Sequence, residues 1–541
     1  MAILSGILQV LPFPIAGPMP VWRTVFCWIA LLPLLWALLV NTKTGNPLTL
    51  LQGAVLGYVC GIVWYLGNCY WIYQTMYLYG GLAKPIAAGI LILFCLYLGL
   101  YHALFGTLIA AFRKRFGRQS ALLLVPFAWV AVELARARIT GLPWDLLGVT
   151  QVDNLLLTRL APITGAYGIS FIIAAVNALW LVRIRIRERR FTRPALTVAG
   201  VILVVVYVAA LRLIANPKAS PTTATATLVQ ENLGVGQEAR GNNETGSQMI
   251  DSFSRLSLYP PADRCNGTPE LPSTTCIRFI DKNHIGDQSI VPADLIVWPE
   301  SPAGFRTDDP VFNERLAALA RAASAPLVIG SLGVVPDSST ERGLRVYDSA
   351  ALVAADGTSA GRYDKIHLVP WGEYVPFKEF FSFAKKLTAG AGDMDRGTDR
   401  TVFRTAGHNF GVFICYESIF ADEVRQFVKN GAEVLVNISD DGWYGDTSAP
   451  WQHLNMVRMR AIENRRWILR STNTGVTTAI DPYGRVTAAA PRHIRTALRA
   501  RFNFERDMTF YTVHGDLFAF ACAFITALGL ALSLRHRVAV N

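Results

Sequence analysis

Three side chains in this sequence could together move an acyl group. Glu300 stands in VWPES (297–301), Lys365 in GRYDKIHL (361–368) and Cys415 in FGVFICYES (410–418). A thiol attacks an acyl carbon, a carboxylate takes the thiol's proton, and an ammonium steadies the oxyanion that results. A free thiol with a pKa near ~8.5 is only a few per cent thiolate at neutral pH, so Cys415 needs a base, and Glu300 is the candidate. Each residue also has a plainer reading. Cys415 fits a buried structural thiol, Glu300 an acid at a helix start after Pro299, and Lys365 an ion-pair partner of Asp364. What joins the three is placement: each sits at the end of a predicted strand, where a sheet presents its reactive side chains.

The elements that must position them follow from the apolar pattern. ATATLVQ (224–230), ADLIVW (293–298) and APLVIGS (325–331) read as buried strands, and 311–323 as a helix. Residues 349–364 read as a hairpin turning at Asp356-Gly357. The run 410–414 is a strand that enters a sharp turn at Cys415, and 419–429 is helical up to Asn430-Gly431. Residues 433–439, WILRST (467–472) and GVTTAI (475–480) are further strands, with a helix at 451–466. Such alternation predicts an α/β layered domain over 217–514. Within it, 234–290 is rich in Gly, Asn, Pro, Ser and Thr and reads as a long surface loop or lid. Cys265 and Cys276 lie there and would pair if the loop faces an oxidising compartment.

The remainder is apolar. The chain of 541 residues is 52% apolar and 17% charged, with a mean hydropathy of +0.32. Apolar runs occur at 1–14, 22–40, 50–73, 85–112, 120–137, 161–182, 194–214 and 515–534. A spanning helix needs roughly 20 residues, so the first run is short. The net charge of +12 is concentrated in short loops: RKRFGR (113–118) has four basic residues and RIRIRERRFTR (183–193) has six Arg. This is the positive-inside pattern and argues against nucleic-acid binding. It puts both loops and the Arg535-His536-Arg537 tail in the cytoplasm, and 217–514 outside it. The expected organisation is a membrane domain at 1–216, a catalytic domain at 217–514, and a last transmembrane helix with its tail at 515–541. Glu133 and Arg136, at helical spacing inside an apolar run, are placed to pair. Cys27, Cys60, Cys69, Cys95 and Cys522 also lie in apolar runs, where thiols pack as small apolar groups. No Cys/His metal spacing is present, so neither a metal site nor a cofactor is expected. His453 and the nearby Arg458, Arg460, Arg465 and Arg466 read as structural or solvated groups. YVPFKEFFSFAKKL (374–387) offers Phe377, Phe380, Phe381 and Phe383 beside lysines. It reads either as a segment dipping into lipid or as an amphipathic stretch packed on the domain.

VWPES, GRYDKIHLVPWGEYVPF and FGVFICYES resemble the three signature segments of the nitrilase (carbon–nitrogen hydrolase) superfamily. With apolar runs on both sides, and with WYGDTSAPWQHLNMVRMRAIENRRWILRSTNTGVT (443–477), the chain is similar to the bacterial apolipoprotein N-acyltransferase family. The resemblance covers nearly the whole chain. It implies an αββα sandwich on a multi-span helical base in the inner membrane, with the sandwich facing the periplasm. It also implies transfer of an acyl chain from a phospholipid, through a Cys415 thioester, to the α-amino group of a diacylglyceryl-cysteine apolipoprotein. The same resemblance assigns Glu300 as base, Lys365 as oxyanion stabiliser and Cys415 as nucleophile. It gives supporting roles to Glu373, Tyr416, Glu417 and Trp443. A membrane-tethered amidase would use the same triad, with water in place of the amine.

Overall fold

Strand residues alternate between two apolar layers, and this period of two builds a sandwich. In the computed structural model the described residues are 1–40, 47–185, 222–235, 245–260, 290–300, 304–340, 342–374 and 394–534. One sheet contains β1 (Ala224–Gln230), β2 (Leu295–Val297), β3 (Leu327–Pro336), β4 (Leu344–Val353) and β5 (Ser359–Asp364). The other contains β6 (Val402–Thr405), β7 (His408–Ile414), β8 (Val434–Ser439), β9 (Ile468–Thr472), β10 (Thr478–Ile480) and β11 (Val486–Ala489). β12 (Thr496–Phe502) closes the first sheet, and the two orders are β12-β1-β2-β3-β4-β5 and β11-β10-β9-β8-β7-β6. Leu295, Val297 and Val328 point between the sheets, while Ile296, Trp298, Leu327 and Ile329 point outward. That outer layer is covered by the helices Gly246–Leu258 and Pro310–Ala323. Ala421–Lys429 and Ala449–Asn464 cover the second sheet. β1, β2 and β3 run parallel, as do β7, β8 and β9, so the carboxyl ends in each set gather at one edge.

One expectation is corrected here. Part of 234–290, read as loop or lid, is the helix Gly246–Leu258. Thr245 and Gln248 form its capping box, and Ile250, Phe253 and Leu256 bury its apolar stripe. The polar composition hid a three- and four-residue spacing.

The N-terminal half is a helical bundle. Val21–Leu39, Leu50–Asn68, Lys84–Thr140 and Leu517–Leu534 are long and apolar enough to cross a membrane. Lys84–Thr140 is two legs, broken at Gly117 (φ +80°) inside the basic 113–118 loop. The first apolar run forms the helix Ala2–Val10, about 14 Å long at the usual rise, against a bilayer core of about 30 Å. Glu133 and Arg136 find different partners: Glu133 Oε1 accepts from Trp129 Nε1 and Leu147 N, whereas Arg136 donates to the Tyr65 hydroxyl. The 183–193 loop, the 194–214 run, Cys265, Cys276, the 535–541 tail and Phe377, Phe380, Phe381 and Phe383 lie outside the described residues or side chains.

Bundle and sandwich meet across one helix packed on both sides. The Ala449–Asn464 helix buries Leu454, Val457 and Ala461 toward the sheet and Met456, Met459 and Ile462 toward the bundle. Gln452 donates to the carbonyls of Pro14 and Asn68 and accepts from Trp144 Nε1 at 2.9 Å. Tyr416, whose hydroxyl donates to Gly141 O, enters the bundle with Ile419 and Tyr444.

Candidate active site

Glu300, Lys365 and Cys415 come together where β2, β5 and β7 end. The Lys365 ammonium is fully buried and donates to Glu300 Oε1 at 2.8 Å, Asp348 Oδ2 at 2.9 Å and Glu373 Oε1 at 2.6 Å. All its N–H bonds are therefore committed, and the ammonium fills the space among three carboxylates where a cation would otherwise sit. Asp364, the plainer partner of Lys365, pairs with Arg362 instead.

Each carboxylate is held by a strand end or turn. Glu300 Oε2 accepts the Asp440 N–H at 2.7 Å, just past β8. Glu373 Oε2 accepts the Val369 N–H at 2.9 Å. Burial pushes Glu300 upward, but the Lys365 charge and hydrogen bonds involving Asp348, Lys365 and Asp440 leave it below the usual carboxylate range. Glu373 lies above its usual range, chiefly through burial. Burial alone would pull Lys365 down, yet Glu300, Glu373 and Asp348 hold it well above an ordinary lysine.

Cys415 leaves β7 with φ +46°, a left-handed conformation that costs a non-glycine residue about 1–3 kcal/mol. Glu417 fixes that bend. Its Oε2 accepts the Ile414 N–H at 2.7 Å, and its Oε1 accepts Tyr363 Oη, Ile366 N and His367 N at 2.7, 2.7 and 3.1 Å. One buried side chain thus ties the turn bearing Cys415 to the segment bearing Lys365. Burial, and the Glu300 carboxylate after it, push the Cys415 thiol well above the usual range. A thiol held this high needs a base if it is to react.

Beneath the turn lies a fully buried chain of polar groups. His453 contacts Ser418 Oγ at 2.5 Å, Cys415 O at 3.1 Å and Asp441 Oδ1 at 2.9 Å. Asp441 Oδ2 in turn accepts from Arg470 at 2.6 Å. These contacts hold His453 inside the packed domain, directly behind Cys415. Trp443 is 41% exposed, and its carbonyl accepts from Thr75 Oγ1 at 3.0 Å. The neighbouring Tyr444 is the buried aromatic of this turn. Arg460 pairs with Glu463, Arg466 donates to Ala432 O and Asp507 O, and Arg458 pairs with Asp153. These arginines, with Arg465 over the Tyr483 ring, are packing charges.

Sequence reasoning missed Asp348, Asp440 and Asp441. The last two directly follow the apolar run 434–439, the same strand-end signal that singled out Cys415. Asp348 lies inside β4 and meets Lys365 only through sheet register, with the Lys365 N–H donating to Asp348 O at 2.9 Å.

Comparison with known proteins bears on both halves. The carbon-nitrogen hydrolase family matches residues 273–506, and the apolipoprotein N-acyltransferase N-terminal domain matches 5–179. The chain is 34% identical to the apolipoprotein N-acyltransferase of Geobacter metallireducens, covering 99% of this chain and 95% of that protein. Identity to the Methylococcus capsulatus apolipoprotein N-acyltransferase is 33%, covering 99% and 96%. Among solved structures, a nitrilase-superfamily protein of Saccharomyces cerevisiae aligns at 17% identity and a TM-score of 0.35, over 53% of this chain and 93% of its own.

Proposed function

This chain belongs to the apolipoprotein N-acyltransferase family, a group of membrane enzymes that N-acylate lipoproteins, and from that premise we propose a two-step reaction through Cys415. In the first step Glu300 takes the thiol proton, and the sulfur attacks the ester carbonyl of a phospholipid. Negative charge gathers on the carbonyl oxygen. As Glu300 becomes neutral, its hold on the Lys365 ammonium weakens, and one N–H is released toward that oxyanion beside a backbone N–H of the Cys415 turn. Losing one such donor typically costs about 3–4 kcal/mol of barrier. The intermediate collapses, the lysophospholipid oxygen leaves with the proton from Glu300, and an acyl thioester remains.

In the second step the α-amino group of an S-diacylglyceryl-cysteine attacks the thioester. Glu300 takes a proton from the amine and returns it to the departing sulfur, so the enzyme is restored and an amide has formed. The observation that carries this reading is the bonded Lys365–Glu300 pair at the strand ends beside a left-handed Cys415. The residue roles, the phospholipid donor, the division at 216/217 and 514/515, and an inner-membrane setting with the sandwich on the periplasmic side are all parts of the proposal. The basic 113–118 loop at the Gly117 break supports that orientation.

Intact-mass spectrometry tests the reading. After incubation with phospholipid and no acceptor, the parent protein should gain the mass of one acyl chain, and Cys415→Ala should gain none. A diacylglyceryl-cysteine peptide should discharge the adduct. Discharge by buffer at the same rate would make the enzyme a hydrolase, and the absence of an adduct on folded protein would overturn the thioester.

A further inference from the structure

The Lys365 cluster holds one positive charge against three carboxylates that lie within 4.8 Å of one another. Like charges this close and this buried cannot all be ionised. The hydrogen bonds indicate where a proton sits. Of the six carboxylate oxygens, five accept a hydrogen bond: Glu300 Oε1 and Oε2, Glu373 Oε1 and Oε2, and Asp348 Oδ2. The sixth, Asp348 Oδ1, is buried, and no donor among the described residues reaches it. A proton on Asp348 Oδ1 leaves every one of those five bonds as it is and gives the one unpartnered oxygen a hydrogen to donate.

Resting on the reaction proposed above, we infer that Asp348 is a positioning residue that stays neutral in the resting enzyme, its Oδ1 proton directed at Glu300 so that Glu300 remains the ionised base. The groups facing Asp348 are Glu300, Glu373, Lys365 and, through Glu300, the Asp440 backbone. Burial, then Glu300 and Glu373, favour the neutral form of Asp348, while its hydrogen bond holds Glu300 down. The proton count is then consistent through the cycle. At rest the cluster carries a net charge of one negative, from Lys365 against ionised Glu300 and Glu373. When Glu300 takes the Cys415 proton the cluster becomes neutral and the sulfur carries the charge. Asp348 keeps its own proton throughout.

The test joins infrared spectroscopy to kinetics on the full-length enzyme in lipid. At neutral pH the parent-minus-Asp348→Asn difference spectrum should show the carbonyl band of a protonated carboxylic acid, and the parent-minus-Glu373→Gln difference spectrum should not. Asn reproduces a neutral Asp, so Asp348→Asn should acylate Cys415 within about fivefold of the parent, with the acid limb of its pH profile unmoved. Asp348→Ala should lose tenfold or more, because Lys365 and Glu300 both lose a partner. If Asp348 is ionised instead, the parent-minus-Asp348→Asn difference spectrum lacks the band. Asp348→Asn then removes a negative charge beside Glu300 and shifts the acid limb to lower pH by about one unit. Either result overturns the inference. The infrared band needs no turnover, so a failure of the thioester reading would leave this test readable.

Discussion

Glu417 is a side chain that holds the turn carrying Cys415. Its carboxylate takes four hydrogen bonds, three on Oε1 and one on Oε2 from the Ile414 N–H. In Glu417→Gln the amide oxygen can replace Oε1 and keep three of them. The amide nitrogen then faces the Ile414 N–H, donor against donor, in a site closed to water. A charge-assisted bond is worth about 1.5–3 kcal/mol, and an unpaired buried donor costs about 1–3 more. The combined loss is about 3 kcal/mol, and it falls on the bond that holds Cys415 at φ +46°. The bend relaxes, the thiol leaves its line to Glu300, and acyl-enzyme formation should slow by about a hundredfold. Time-resolved intact-mass measurement of the adduct reads that rate, and gel filtration confirms that the variant is folded. A folded Glu417→Gln that acylates at the parent rate would refute the clamp.

Two further outcomes follow from the buried charges. Glu300 lies below the usual carboxylate range, so its base form persists as the pH falls. Acylation should be level between about pH 8 and pH 5 and decline only below that, as should the stability that ionised Glu300 contributes, which is present above the unfolded pKa and lost through the lower folded one. A midpoint near neutrality in the rate profile would exclude this assignment. Asp441→Asn leaves the Arg470 guanidinium buried without its counter-charge, at a cost of about 3–5 kcal/mol. Thermal unfolding in detergent should come about 6 °C earlier, and an unchanged midpoint would exclude a stabilising role for the pair.

Much of this was legible in the chain. Glu300 and Cys415 were found because polar residues follow apolar runs, and that pattern needs no partner strand to be read. Lys365 was found at the end of the predicted 349–364 hairpin. Asp348 was not, because its importance comes from the β4–β5 register, which brings a mid-strand carboxylate beside the lysine. Gln452 was not legible either, and His453, read as structural, was not placed behind Cys415. Their positions on a helix packed on both sides give no amphipathic signal, and their partners lie in the bundle and in the second sheet. The Gly246–Leu258 helix was hidden by composition, since Ser, Gln and Asp surround a narrow apolar stripe.

Gln452 and His453 are adjacent in sequence and about 100° apart around one helix. The first is locked into the bundle and the second braces the turn that carries the thiol. Cys415 therefore does not swing on a tether above the helices; it stands at a fixed height relative to them. With the phospholipid donor and lipid-anchored acceptor of the proposed reaction, an enzyme built this way would meet its substrates in two dimensions. Both would arrive by lateral diffusion within the lipid sheet, so turnover would be governed by their surface density in that sheet and be indifferent to the volume of water around it.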